Sequence, residues 1–320
     1  MSLLSRKYFQ VEATAFKHLE SVLWPDGVVC PHCGTVDKAG RLEGVKGKTG
    51  KIRHGLWKCY SKECRKQFTV TVGTVFESRH IPLHKMLQAL YLMSANKKGC
   101  SAHQLHRTLE ITYKSAWFLA HRIREAMRDG TLAPMGGGGK VVEADETVIG
   151  RQQGAPKHIK QGGWHHRNVV LTLVERGGSA RSFHIDSTSI ADIAPLVRTN
   201  VRRESRFMTD EARQYVALGK EFAEHGAVNH GAFEYARGDI TTNTVEGYYS
   251  IFKRGMKGVY QHCAEKHLHR YLAEFDFRYS NRVALGTNDE MRSVKAMQGR
   301  RPSLQIAGPA CSFSCWQTPF

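Results

Sequence analysis

Long apolar runs are missing from this 320-residue sequence, where none approaches the roughly 20 residues a helix needs to cross a bilayer. The first ten residues, MSLLSRKYFQ, lack the apolar stretch and cleavage site of a secretory signal. These absences lead to the expectation of a cytoplasmic protein with no membrane partner. Acid is scarce too, since 29 Asp+Glu face 47 Lys+Arg and leave a formal charge of +18. The deficit is uneven: residues 1–135 hold 22 basic against 10 acidic side chains, residues 136–280 hold 20 against 17, and residues 281–320 hold 5 against 2. A basic first third points to nucleic acid, although a generally basic solvated surface has the same composition.

Cysteine is sparse as well, but four of the eight fall within 35 residues, as CPHC (Cys30, Cys33) and CYSKEC (Cys59, Cys64) with 25 residues between the pairs. In a chain expected in the cytosol, paired cysteines favour metal over disulfides. Four thiolates on two hairpin turns suit tetrahedral Zn²⁺, even though the second pair is wider than the usual CxxC, and His32 or His54 stands near enough to replace a sulfur. Structural zinc binds with on the order of 10 to 16 kcal/mol in small peptides, enough to fold a module too small for its own core. Cys100 and Cys263 read as buried thiols, and Cys311 and Cys315 lack a companion pair.

Apolar spacing predicts a helix within residues 5–24, a hairpin between the cysteine pairs and a strand in RKQFTVTVGTVF. The period then becomes helical over 83–94, 101–109 and 112–128, with short turns that suit a helix-turn-helix. Its third helix would offer Lys114, Arg122 and Arg124 to DNA; the alternative is a three-helix packing module that touches none. TLAPMGGGGK breaks the pattern. Beyond it come three strands, a helix, a short strand at RFMTD, helical residues through EARQYVALGKEFAEHG and two long helices, which describe a mixed α/β sheet. The divisions expected are a zinc ribbon with a leading helix (1–78), a helical DNA-binding module (79–130), a glycine-rich linker (131–139), an α/β catalytic domain (140–285) and a tail of little periodicity (286–320).

Carboxylates interrupt the strand-like VVEADETVIGR, where Glu143 and Asp145 share one face and Glu146 points to the other. Asp210 ends RFMTD, and after 35 intervening residues Glu246 lies on a helical face with Asn243 and Lys253. Each acid has an ordinary use: capping a strand end, capping the helix at EARQY, or pairing with Lys253 or Arg254. Together they would converge, and two carboxylates 4 Å apart repel by about 4 kcal/mol at an effective dielectric near 20. A Mg²⁺ or Mn²⁺ ion removes that penalty and keeps positions open for water and phosphate, as two-metal phosphoryl transfer requires. Lys253 and Arg254 would then meet DNA phosphate.

CPHCG, WKCYSKECRKQFTVTVGTVFESRHIPL, EADETVIG, TDEARQY and NTVEGYYSIFKRGMKGVYQH, the last followed by HLHRYLAEFDFRYSNR, resemble in collinear order the insertion-sequence transposases of the ISXO type over roughly residues 10–285. The resemblance implies a zinc ribbon ahead of a DDE domain of ribonuclease H-like fold, with structural Zn²⁺ and catalytic Mg²⁺ or Mn²⁺. It implies cleavage and strand transfer at terminal inverted repeats, double-stranded DNA as partner, a homo-oligomeric synaptic complex and a nucleoid-associated prokaryotic protein. Carried over, Asp145 and Asp210 match the two aspartates, Glu246 the third acid and Lys253 the basic residue after it. Asn243 is the alternative third residue. A zinc-ribbon regulator without catalysis, or a nuclease of the same fold, would share much of this sequence.

Overall fold

The computed structural model describes residues 3–47, 49–128, 133–155 and 166–299. Residues 131 and 132 of the glycine-rich segment, and Cys311 and Cys315 of the tail, lie outside the described residues. Helix α1 (Glu12–Leu23) buries Ala15, Phe16 and Leu19 and leads into a three-stranded antiparallel sheet of β1 (Ala39–Leu42), β2 (Leu56–Cys59) and β3 (Gln67–Phe68), in the order β1-β2-β3. The sheet is fastened to α1 through Glu20, which accepts from Trp57 Nε1 at 2.9 Å and pairs with Arg41. The strand expected after Cys64 is only two residues long; from Thr71 the chain turns on hydroxyl bonds, Thr74 Oγ1 donating to the Thr71 carbonyl at 2.7 Å. Such local bonds compete with a ladder.

Helices α2 (Leu83–Ala95), α3 (Ala102–Leu109) and α4 (Tyr113–Ala126) follow, and the last two start on side-chain caps, Ser101 accepting from Gln104 N and Thr112 from Ser115 N. Their apolar faces share one core with α1.

The second sheet is five-stranded: β4 (Val141–Ile149), β5 (Asn168–Glu175), β6 (Ala180–Ile185), β7 (Arg206–Asp210) and β8 (Glu224–Val228), with α5 (Ile190–Asn200) between β6 and β7 and α6 (Arg213–Gly219) between β7 and β8. Its order is β6-β5-β4-β7-β8. β4, β5 and β6 pair antiparallel, whereas β4–β7 and β7–β8 pair parallel. A small hairpin, β9 (Ala236–Arg237) with β10 (Ile240–Thr241), precedes α7 (Asn243–Gly255), which runs through a π turn at Met256–Tyr260; α8 (Leu268–Ser280) and α9 (Asp289–Gln298) complete the described chain. One face of the sheet packs on α5 and α6, the other on α7 and α8. Three antiparallel strands continued by two parallel ones, with helices on both faces, make this the expected ribonuclease H-like fold.

Three readings of the sequence differ from the structure. The helical stretch expected through Gly226 ends at Gly219, and residues 224–228 instead form edge strand β8. A side chain on Gly226 would meet Met208 Sδ at 2.6 Å and Ile240 Cγ2 at 2.8 Å, so the glycine leaves the space that the Met208 and Ile240 side chains occupy over β8. Residues 289–298 are a helix rather than irregular, started by the Asn288 side chain and packed against α1 and α2 with Ala296 and Met297 buried. The glycine-rich segment is pinned to the sheet: Met135 is buried, Gly136 N donates to Glu175 Oε2 at 2.8 Å and Gly137 N to Ser205 Oγ at 2.9 Å.

Candidate active site and metal centre

The cysteine pairs sit on two tight turns of the small sheet. Gly34 N bonds to the Cys30 carbonyl at 2.8 Å, and across the site Cys64 N bonds to the Ser61 carbonyl at 3.1 Å. The four sulfurs lie within 4.8 Å of one another, with Cys30 to Cys64 at 3.8 Å and Cys33 to Cys59 at 3.7 Å. A tetrahedron with Zn–S bonds of about 2.3 Å has edges of about 3.8 Å, so the donor set fits zinc, and the two extra residues of the second pair are absorbed in its turn. Neither His32 nor His54 belongs to the cluster; the His32 ring meets Phe68 edge-on. Thr35, through its hydroxyl and its backbone, holds the Cys33 thiol down to about 6. The Ser61 amide lowers Cys59, but burial and the neighbouring sulfurs outweigh it and push that thiol up to about 11. Four crowded sulfurs do not all ionise without a cation among them.

In the large sheet, Val141, Val142 and Glu143 of β4 pair with Arg206, Phe207 and Met208 of β7. Asp145 and Asp210 each lie two residues beyond the last pair of that ladder, Glu143 with Met208, close enough for Asp210 to act on the Asp145 carboxyl. Helix α7 lies over β4 because Glu143 is its cap: this fully buried carboxylate accepts from Thr244 N at 2.8 Å, Val245 N at 2.9 Å and Thr244 Oγ1 at 2.8 Å, and pairs with Arg176 Nε at 2.5 Å. Thr242 at the N-cap makes no side-chain cap bond, so Glu143 takes that role. Val245, Tyr248, Tyr249 and Phe252 turn inward, while Glu246 is exposed one turn into the helix. Tyr249 anchors the same strand, donating to the Asp145 carbonyl at 2.6 Å.

Glu143, Asp145's rival on that face, is therefore spent on holding α7, and Glu146 goes the other way, accepting from Tyr215 of α6 at 2.6 Å. Burial, then the nearby Asp210, pushes the Asp145 carboxyl up to about 7, with Glu246 adding to the rise and Lys253 opposing it. Asp210 is raised by burial despite accepting from Ala212 N at 3.1 Å. Glu246 Oε1 accepts from Thr242 Oγ1 at 2.9 Å and lies 3.6 Å from His230 Nε2. Neither Lys253 nor Arg254 pairs with it: Lys253 Nζ sits 5.7 Å from the Tyr249 ring, and Arg254 bonds back to the Ser250 carbonyl at 3.0 Å. Asn243, the first residue of α7, is exposed. The three acids thus share an electrostatic neighbourhood fed by β4, β7 and α7, and carboxylate oxygens of this kind suit a hard divalent cation.

Two family models match this chain, residues 136–280 an ISXO2-like transposase domain and residues 10–67 a transposase zinc-ribbon domain. The chain carries an ISXO2-like transposase domain behind a transposase zinc ribbon. It is also 27% identical over 290 residues, 85% of its own length and 92% of the relative's, to a protein in transposable element ISH50 of Halobacterium salinarum. A crystal structure of a pre-cleavage Mos1 transpososome matches 62% of this chain and 77% of its own at 14% identity, with a TM-score of 0.22. The matched transposase domain opens at Gly136, where the glycine segment meets the sheet, and ends with α8.

The residues expected at DNA in α4 separate. Lys114 is exposed, whereas Arg122 bonds to the Glu77 carbonyl. Arg124 is only 2% exposed, paired with Glu274 Oε2 of α8 at 2.7 Å beneath Tyr271, where this structure gives DNA no access to it. Its position facing the transposase domain overrode its sequence appearance as one more base on a basic helix. Sequence reading also missed the Glu143 cap, Arg176, Tyr249 and His230. Of these only Glu143 left a signal, a charge in a strand otherwise buried on both faces. Among the described residues no helix is long and apolar enough to cross a membrane.

Proposed function

We propose that this chain is a DNA transposase that binds the terminal inverted repeats of an insertion sequence and catalyses divalent-metal-dependent cleavage and strand transfer, with Zn²⁺ on Cys30, Cys33, Cys59 and Cys64. What supports the catalytic reading is that the neighbouring parallel strands β4 and β7 carry Asp145 and Asp210 each two residues past their last shared pair, with α7, the bearer of Glu246, capped on β4 by Glu143. Asp145, Asp210 and Glu246 would hold Mg²⁺ or Mn²⁺, which supplies activation of water, then of a DNA 3′-hydroxyl, and stabilisation of the leaving oxygen. Asp145 and Asp210 fix two carboxylates on rigid strands. Glu246 is carried by a helix that Glu143 orients, and its anionic oxygen is a stronger ligand for a hard cation than the amide of Asn243. Lys253 meets a DNA phosphate as a point charge and Arg254 adds a second basic contact. Lys114 serves the helical module's contact with DNA, and the chain acts as a homo-oligomer that brings two ends together in the nucleoid.

The test uses full-length protein, a pre-cleaved terminal repeat, a target plasmid and Mn²⁺. Joining is the expected result; cutting without joining would make the chain a nuclease, and neither activity a zinc-ribbon regulator. Asp145→Ala, Asp210→Ala and Glu246→Ala are each expected to lower cleavage by more than about 100-fold, beyond the loss from outer partners of a metal, with DNA binding retained. Asn243→Ala is expected to keep most of it, and the reverse pattern would make Asn243 the third residue.

A further inference from the structure

Resting on that reading of the acids, we infer that Phe233 is a DNA wedge: its ring unstacks the base beside the phosphate held at Asp145, Asp210 and Glu246. Phe233 is 83% exposed, more than any other large hydrophobic residue among those described. Its backbone is left-handed, at φ 61° and ψ 19°, a conformation glycine adopts freely and a bulky residue rarely does. A chain that wanted only a turn here would do better with glycine; this one keeps a phenyl ring facing water.

The turn bearing the ring is tied down. Asn229 Oδ1 accepts from Ala232 N at 3.0 Å, Phe233 N donates to the His230 carbonyl at 3.1 Å and Glu234 N donates to the Asn229 carbonyl at 3.0 Å. Glu211, the residue after Asp210, accepts from His230 N at 2.9 Å and from Gly231 N at 3.1 Å. Three residues before Phe233, His230 Nε2 lies 3.6 Å from Glu246 Oε1. One turn is thus tied to Glu211, the neighbour of Asp210, lies against Glu246 through His230, and carries the exposed Phe233 ring. Tyr235 stays against the His230 ring at 5.4 Å, and the exposed Arg237 follows.

A base is the partner this chemistry fits. Apolar side chains pushed between base steps unstack and kink a duplex, and an aromatic ring offers the displaced base a stacking surface without regard to sequence. The carboxylates Glu211 and Glu234, which would repel DNA, are engaged with backbone N–H groups of the turn itself.

The test uses full-length protein and a duplex carrying the terminal repeat that flanks its gene, with 2-aminopurine next to the scissile phosphate. Binding of the parent should raise the probe's fluorescence. Phe233→Ala should abolish the rise, slow cleavage of the paired duplex about 10-fold, as expected for loss of one base–aromatic contact, and cut a duplex mismatched at that step as fast as the parent. Phe233→Trp should keep both properties. Equal slowing on paired and mismatched duplexes, unchanged cleavage, or no rise with the parent overturns the wedge. Loss of a two-duplex complex with the rise intact would make the ring a contact between copies of the chain and overturn it equally. Asp145→Ala should give the rise without cutting; if it cuts like the parent, the catalytic reading fails whatever Phe233 does.

Discussion

The four sulfurs and the three carboxylates are held in opposite ways. The sulfurs come from two turns of one small sheet and lie at the edge lengths of a zinc tetrahedron, and among the described residues they alone form a group of three or more ligand atoms within 4.8 Å. The carboxylates come from β4, β7 and α7, each secured by its own neighbours: Glu146 N at Asp145 Oδ1, Ala212 N at Asp210, Thr242 and His230 at Glu246. A site whose purpose is to fold the chain closes around its ion, whereas a site that must admit phosphate keeps its ligands apart on rigid supports. Removing a sulfur should therefore cost folding, and removing one of the carboxylates proposed to hold Mg²⁺ or Mn²⁺ should cost chemistry.

Cys59→Ser should have the greatest effect on the chain. It should remove the zinc and unfold the ribbon, since the binding free energy at stake is on the order of 10 kcal/mol. Zinc content and circular dichroism of the purified chain check this, and a folded, zinc-loaded variant would contradict it. Next is Arg124→Ala, which leaves Glu274 buried with only Arg278 and the Tyr260 hydroxyl as partners and should lower stability by about 3 kcal/mol or more in urea denaturation. If Arg124 contacted DNA instead, the variant would keep its stability and lose affinity. For exposed Lys114 the opposite is expected: Lys114→Ala should lower the salt dependence of DNA binding by about one ion, with little change in the urea midpoint. Glu143→Gln follows, at about 2 kcal/mol for weakened charge-assisted bonds, and it should depress cleavage as well because α7 loses its cap. Zinc content should stay at the parental value, and unchanged cleavage would show that Glu246 does not depend on that anchor.

The order of elements was legible because local patterns survive folding: the near-continuous apolar run of β5, the helical spacing of α2 to α4 and the paired cysteines all act locally. Strand β8 was not, since EFAEHGAV lacks alternation and becomes a strand only by pairing with β7. Helix α9 carried its signals, an Asn cap before Asp-Glu and a glycine after Gln298, but they were outweighed by the irregular stretch beyond it. In the candidate site, the carboxylates were readable as charges out of place in strands. Their division of labour was not, because only the packing of α7 shows that Glu143 caps a helix while Asp145 is presented near Asp210.

The smallest expected effect concerns the joint between the two regions, where α4 meets α8. Burial would raise the Glu125 carboxyl, but His269, Arg270 and Arg128 outweigh it and bring it down to about 2, with Arg270 Nε at 2.6 Å. A carboxyl lowered on folding contributes stability that is complete above its unfolded value near 4.5 and lost as pH falls toward 2. The side chain is 20% exposed, so solvent screening trims the benefit to about 1 kcal/mol. Glu125→Gln should therefore lower the urea midpoint at pH 6 and converge with the parent as pH drops below 4.5. Zinc content at pH 6 should be unaffected and cleavage of terminal-repeat DNA nearly so, because neither the sulfurs nor the carboxylates touch this pair. A gap that stays constant with pH would mean that the residue acts through packing rather than charge.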